Sequence, residues 1–316
     1  MAYQEIPSVD LADFTSGEEQ RKKQFVNQLG KAYEEIGFVA LKNHFLEPAI
    51  EKELYREVEA FFALPEKVKK SYEPEGLAGQ RGYVSFGREH AKNRKAADLK
   101  EFWHFGQYVE DGDATVQYPD NVVVQERPRF NVVGKEAYQK LEQTGQWVLR
   151  AIALHLGLPE TYFDAKIHNG NSILRPIHYP PIREEPGSAV RAGEHEDINL
   201  ITLLMGASAE GLEVKNRNGD YIAVTALPSQ VIVNVGDMLQ RLTNNKLRST
   251  THRVVNPPRE KWGNSRYSIP FFLHPRSDMR LDCLPSCIDQ NHPKQYHDIS
   301  AGEYLEERLR EIGLKK

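Results

Sequence analysis

The sequence predicts an α+β chain with a mainly β core, a jelly roll or barrel, flanked by N-terminal helices and one C-terminal helix. Three observations predict it. Apolar residues recur at helical spacing through much of the first 165 residues. From about residue 172 the period falls to two. Turn signals then cut the chain into short runs, as in antiparallel sheets that close on themselves.

Taken in order, Thr15 or Ser16 caps a helix whose stripe is Phe25, Leu29, Ala32 and Ile36. Gly37 leads into a short strand, Phe38-Val39-Ala40-Leu41. A second helix starts near Pro48, a favoured first-turn residue, carries Ile50, Leu54, Val58 and Phe61, and is interrupted at Pro65. Residues 73–100 show no period and read as a long irregular segment, with short strands around Gly82-Tyr83-Val84 and Phe102-Trp103-His104-Phe105. Such segments in compact proteins often serve as lids or binding loops. A third helix is expected from about Lys135 to Leu156.

Strands are then expected at Ile173–Tyr179, His195–Leu204, Gly211–Val214, Tyr221–Val224, Gln230–Val235, Arg248–Val255 and Arg266–Leu273. Asn218-Gly219 suits a tight hairpin with positive φ at both turn residues. A last amphipathic helix follows Ser300, with Tyr304, Leu305, Leu309 and Ile312 apolar. The division is a helix-rich region 1–165 with loops that shape a substrate site, and a core 166–316 with its C-terminal helix, in one compact unit. Helices that bury one stripe need the outside of the barrel as a partner.

The 316 residues are 40% apolar and 27% charged, which excludes wholesale disorder, a collagenous rod and a membrane bundle. Lys plus Arg is 41 and Asp plus Glu 45, for a net charge of −4. That mild acidity argues against nucleic acid as a partner. Cys283 and Cys287 form neither a disulfide framework nor a CxxC motif and read as reduced thiols. The opening Met-Ala-Tyr-Gln-Glu-Ile-Pro has no basic or apolar leader, and no apolar run nears the roughly 20 residues that span a bilayer. A cytoplasmic location away from membranes is expected. Oligomeric state is open.

Of eleven histidines, His195 alone has a carboxylate two residues on, Asp197. On a strand both side chains share a face, so both can reach one metal ion. His252, in a β-branched run several strands later, is the best third ligand. Two histidines and a carboxylate make the facial triad of non-haem Fe(II) enzymes, which leaves positions open for a co-substrate and O2. Arg266-Tyr267-Ser268 repeats the same-face geometry, and a guanidinium fork beside a hydroxyl receives a carboxylate well. Each feature alone has a plainer explanation, a hydrogen-bonded core histidine or an internal ion pair. Together they place these polar groups on strands otherwise made of Ile, Val, Leu and Phe, where they need partners.

The order of these motifs resembles the iron(II)- and 2-oxoglutarate-dependent oxygenases of the isopenicillin N synthase-like group. The likeness is carried by His195 to Leu204, Val233-Asn234-Val235-Gly236-Asp237-Met238, Leu242-Thr243-Asn244-Asn245, Ser249-Thr250-Thr251-His252-Arg253-Val254 and Arg266-Tyr267-Ser268. The opening Ile6-Pro7-Ser8-Val9-Asp10-Leu11 and Gly37-Phe38-Val39 extend it over nearly the whole chain. The resemblance implies a distorted double-stranded β-helix of the jelly-roll type. It implies His195, Asp197 and His252 as iron ligands and catalytic residues, and Arg266, Ser268 and Tyr179 as the receptor for the distal carboxylate of 2-oxoglutarate. Many plant members have Asn-x-Tyr where this chain has Ile177-His178-Tyr179, and Arg175 is the candidate for the missing contact. Lys261-Trp262-Gly263-Asn264 look like extra residues, expected in a longer turn.

The implied reaction couples decarboxylation of 2-oxoglutarate, with Fe(II) and O2, to oxidation of a small molecule, most simply its hydroxylation. Asp197 speaks against a halogenase, where a small residue leaves room for chloride. Candidate substrate contacts are Arg81, Tyr83, Phe86, Phe102 and His104 from the irregular segment, and Phe271 beyond the Arg-x-Ser strand. Phe102 and Phe271 equally suit the core, and Arg81 and Arg88 could be solvated. An arginine inside the pocket would point to an acidic substrate. Competing readings are a 2-oxoglutarate-independent oxidative cyclase, a small-molecule-binding module without turnover, and a zinc hydrolase, which would want a general-base motif that the sequence lacks.

Overall fold

Gly37 sets the frame of the molecule. At φ +74 it closes the first long helix, donates to the Ala32 carbonyl at 2.9 Å, and turns the chain into the sheet. A Cβ there would lie 2.2 Å from the Arg248 carbonyl oxygen. A computed structural model describes residues 5–311 apart from 78, 89–97, 114, 116–117, 207–209 and 225–228.

The N-terminal elements are β1 (Ser8–Asp10), α1 (Leu11–Thr15), α2 (Glu19–Glu35), β2 (Phe38–Lys42), α3 (Pro48–Phe62), α4 (Glu66–Lys70), β3 (Gly82–Val84), β4 (Glu101–Gly106), α5 (Pro128–His155) and α6 (Asp164–Ile167). The expected third helix therefore begins at Pro128, which occupies the first turn that its ring favours. After them come β5 (Ile173–Leu174), β6 (Ile177–Tyr179), β7 (Ala192–His195), β8 (Ile201–Met205), β9 (Leu212–Lys215), β10 (Tyr221–Ala223), β11 (Val231–Val235), α7 (Asp237–Leu242), β12 (His252–Val254), β13 (Arg266–Ser268), β14 (Pro270–Leu273) and α8 (Ala301–Glu311). Ile312, expected on the last helix, lies outside the described residues.

Two sheets face each other. The larger runs β1-β2-β11-β8-β14-β5-β4-β6-β13, with β3 paired to β4, and the smaller runs β10-β9-β12-β7. Strands from the first 165 residues thus lie within the same sheet as strands of the core. The hairpin at Asn218-Gly219 differs from the expected tight turn. Tyr221 pairs with Lys215, so five residues form the loop, and of Asn218 and Gly219 only Gly219 takes positive φ. The Asn216 side chain closes the loop by accepting from the N–H groups of Asn218 and Asp220.

Register sorts the large sheet into an outer and an inner face. Val39, Val233, Leu203, Phe271, Leu174 and Phe105 stand side by side across six strands. They join one core with Leu54, Val58 and Phe61 of α3 and Leu141, Val148 and Ile152 of α5. Gly134 and Gly145 let α5 approach: a Cβ at either would meet Phe105 or Leu273 at 2.4 and 2.3 Å. One residue over, Phe38, Asn234, Thr202, Phe272, Ile173 and Gly106 form the inner row. The second apolar cluster, with Phe38, Ala40, Ala192, Val214, Ile232 and Val254, fills the space between the two sheets. The site lies in that space.

Candidate active site

His195 and His252 face each other across the small sheet. His252 pairs with His195 and Val254 with Ala192, so two residues advance on β12 while three advance on β7. This bulge re-aims His195, as bulges near functional sites do. The two imidazoles are 4.3 Å apart between centroids, and Phe38 packs edge-on against His252 at 5.7 Å. Each ring directs its Nδ1–H to a backbone carbonyl, His195 to Gly193 at 2.7 Å and His252 to Thr250 at 3.1 Å. Both Nε2 atoms are thereby left as the ring nitrogens available to a metal.

The expected single strand from His195 to Leu204 is in fact two. β7 belongs to the small sheet and β8 to the large one, and residues 196–200 cross between them. Asp197 lies in this crossing, so hydrogen bonds and not strand alternation place it. Thr202 Oγ1 and Asn234 Nδ2, neighbours on the inner row, both donate to its Oδ2 at 2.6 and 2.8 Å. Its Oδ1 stands 3.7 Å from His252 Nε2.

One ligand atom from each of His195, Asp197 and His252 lies within 4.8 Å of the others. Burial opposes ionisation of Asp197, but the histidines and the two donors outweigh it and hold the acid below its usual range. Burial, and then the His252 charge, push His195 down to about 4, so it is neutral at physiological pH, the form a metal binds. Two imidazoles whose Nδ1 atoms are already engaged and a fixed carboxylate, brought together this closely, fit a divalent transition metal.

The second receptor lies on the large sheet. β13 pairs with β6 so that Arg266 opposes Tyr179 and Ser268 opposes Ile177. Arg266 is 1% exposed, and its guanidinium carbon sits 5.0 Å over the Tyr179 ring. Arg175, expected beside these groups, stacks on Phe102 at 4.5 Å and Phe272 at 5.0 Å. Its Nε donates to His104 Nε2, while His104 Nδ1 donates to the Gly79 carbonyl. The imidazole between them is neutral by this pattern.

Phe102 and His104 are therefore on the inner face, as a substrate contact requires. Tyr83 is not: it packs against Phe61 at 6.2 Å and donates to Glu101, within a buried group that also holds Lys69 and His178. Phe271 is also corrected. It points outward against Tyr138 at 5.0 Å, and Phe272 takes the inner position. Arg81 is buried, not solvated, and donates to the carbonyls of Pro119 and Gln80 beside Gly106. Phe86 is half-exposed.

Sequence reading missed Asp98, Lys100, Thr202, Asn234 and Arg191. Asp98 accepts from the Gly193 N–H at 3.1 Å and pairs with Lys100 at 3.0 Å, with all three groups buried. Strand parity with Phe102 and His104 would have pointed to Lys100. No local signal marks the others, because register across strands brings them in. No helix of the described residues is long and apolar enough to cross a membrane. Both cysteines are free and buried.

Comparison with known proteins gives a consistent result. Residues 6–126 match the N-terminal family of non-haem dioxygenases of morphine synthesis, and residues 170–275 match the 2OG-Fe(II) oxygenase superfamily. The 2-oxoglutarate-Fe(II) type oxidoreductase ppzD of Metarhizium majus is 30% identical over 96% of this chain and 94% of its own. The proline hydroxylase buaE of Petromyces alliaceus is 32% identical over 96% and 98%. Among solved structures, a 2OG-Fe(II) oxygenase family protein of Caulobacter crescentus superposes with a TM-score of 0.87 at 41% identity, over 97% of this chain and 99% of its own. A full-length Neurospora crassa protein in complex with alpha-KG and thymine superposes with a TM-score of 0.85 at 31% identity, over 96% of both chains.

Proposed function

The chain belongs to the 2OG-Fe(II) oxygenase superfamily, and from that premise we propose how its own residues divide the work of the reaction. It is an Fe(II)- and 2-oxoglutarate-dependent dioxygenase with a double-stranded β-helix core, and it oxidises a small molecule. When bound, the iron would activate O2 as the oxidant, two electrons coming from 2-oxoglutarate as it loses CO2 and becomes succinate and two from the substrate.

In this proposal His195 Nε2, His252 Nε2 and Asp197 hold the iron. Gly193 and Thr250 fix the imidazoles, and Thr202 and Asn234 fix the carboxylate. Arg266 and Ser268 receive the distal carboxylate of 2-oxoglutarate beside Tyr179. The substrate lies against Phe102, His104 and Phe272. Arg175 faces it from the same wall and is assigned to the substrate, not to the co-substrate. A guanidinium held there between two rings by a neutral imidazole favours an acidic small substrate. The net charge of −4 supports a protein that does not bind nucleic acid, and two buried free thiols support a cytoplasmic location. Residues 1–165 supply the substrate-shaping strands and loops to a unit shared with 166–316.

The observation that carries the iron assignment is the meeting of the three ligand atoms within 4.8 Å, with each imidazole's other nitrogen already occupied. The test is an anaerobic titration with Fe(II) and then 2-oxoglutarate, followed by the visible charge-transfer band, with His195→Ala as control. A band in the wild type that the variant lacks is expected. An unchanged band in the variant would move the metal elsewhere.

A further inference from the structure

Arg191 lies one residue before β7, is 2% exposed, and has no assigned role. Its guanidinium carbon is 5.9 Å from the centroid of the Tyr179 ring, the ring over which Arg266 stands at 5.0 Å. Two buried guanidinium groups thus share one phenol. Arg191 Nη2 donates to the Asn264 carbonyl at 3.1 Å, and its main-chain N–H to Asn256 Oδ1 at 3.0 Å. Its Nε is buried and meets no hydrogen-bond partner among the described residues.

The charges acting on Arg191 are those of Arg266, which opposes its protonation, and Tyr179. Burial, and then Arg266, pull its pKa down to about 10. It stays protonated at neutral pH, and among the described residues no carboxylate is paired with it. A buried cation in that state is destabilising, more so beside a second cation. The arrangement suits a site that is completed by an anion. Asn264, which holds Nη2, ends the stretch Lys261-Trp262-Gly263-Asn264 that lengthens the turn before β13.

We propose that Arg191 is a second cationic anchor for the distal carboxylate of 2-oxoglutarate, held in place by the Asn264 carbonyl of the long turn. The proposal rests on the reading that Arg266 and Ser268 receive that carboxylate. A carboxylate has two oxygens and about four acceptor positions. Arg266 and Ser268 take one side, and the Arg191 Nε–H supplies a donor from another direction. The Asn contact that Ile177-His178-Tyr179 lacks is thus replaced by Arg191 and not by Arg175.

The test uses the full chain loaded with Mn(II) under calorimetry. The ligands are 2-oxoglutarate and 2-oxopentanoate, which has the same length but no distal carboxylate. Arg191→Met is expected to weaken 2-oxoglutarate by ~10–100-fold, the range of a charged hydrogen bond, and to leave the weak binding of 2-oxopentanoate unchanged. Without ligand, its melting temperature should equal or exceed that of the wild type, because an uncompensated buried charge is gone. Arg191→Lys keeps the charge but not the fork, and should bind 2-oxoglutarate with intermediate affinity.

If Arg191→Met binds 2-oxoglutarate within threefold of the wild type while Arg266→Met has lost it, the proposal is wrong and the Arg266 reading stands. If neither change alters the affinity, that reading fails as well. Equal losses for both ligands with a lowered melting temperature, or failure of Arg191→Met to fold together with wild-type affinity in Arg191→Lys, would make Arg191 structural and overturn the proposal.

Discussion

Asp98 stands behind Gly193. Its Oδ1 accepts the Gly193 N–H at 3.1 Å, and the carbonyl of that same glycine accepts His195 Nδ1–H at 2.7 Å. A carboxylate on the segment before β4 therefore orients an imidazole on β7 through one intervening residue. Groups that orient a ligand in this way are typically worth 10–100-fold in metal affinity. Asp98→Ala should weaken Fe(II) binding by about tenfold, and Asp98→Asn, which keeps an acceptor at Oδ1, should stay near the wild type. Anaerobic metal titration of both variants decides the matter. Equal affinities in Asp98→Ala and the wild type would show that β7 holds Gly193 unaided.

The Phe271–Phe272 pair shows what the sequence can and cannot say. The Arg-x-Ser strand and its apolar continuation are legible as strands, and period two shows that one of these rings faces inward. Which one it is depends on partners distant in sequence: Leu203 opposite Phe271 and Thr202 opposite Phe272. A one-residue difference in register exchanges the two faces. His195 and Asp197 were legible for a related reason. Chemistry of side chains at short spacing survives in sequence even though the strand assumed to carry both ends at His195. Arg191, Asp98, Thr202 and Asn234 were not legible, because each gains its place only when the sheets close.

That register predicts opposite phenotypes. Phe271 is fully buried against Tyr138 on the helix side. Phe271→Ala should cost ~3–5 kcal/mol in stability, and the protein that remains folded should keep its substrate preference. Phe272→Ala should cost less stability, because Phe272 is only partly buried at the site, and should raise KM or relax selectivity in a substrate screen read by succinate release. Thermal unfolding and steady-state kinetics on the two proteins separate the effects. The same change in selectivity from both would contradict the assigned faces.

A half-buried acid on α5 sets a pH dependence of stability. Glu142, on α5, shares a cleft with Gln107, Tyr138 and His168, and burial pushes its carboxyl up to about 7 against contrary pulls from Gln107 and His168. In the unfolded chain it titrates near the ordinary value of 4.5. Below that pH both states hold the proton and Glu142 contributes no difference. Between about 4.5 and 7 the unfolded chain releases the proton first, so stability falls as pH rises and then levels off. Glu142→Gln removes this loss. Its melting temperature should match the wild type near pH 4 and exceed it by several degrees at pH 7.5, since ~1 kcal/mol shifts a melting point by roughly 2–4 °C in a chain of this size. A difference between the two proteins that does not grow with pH would show that the carboxyl titrates alike in the folded and the unfolded chain.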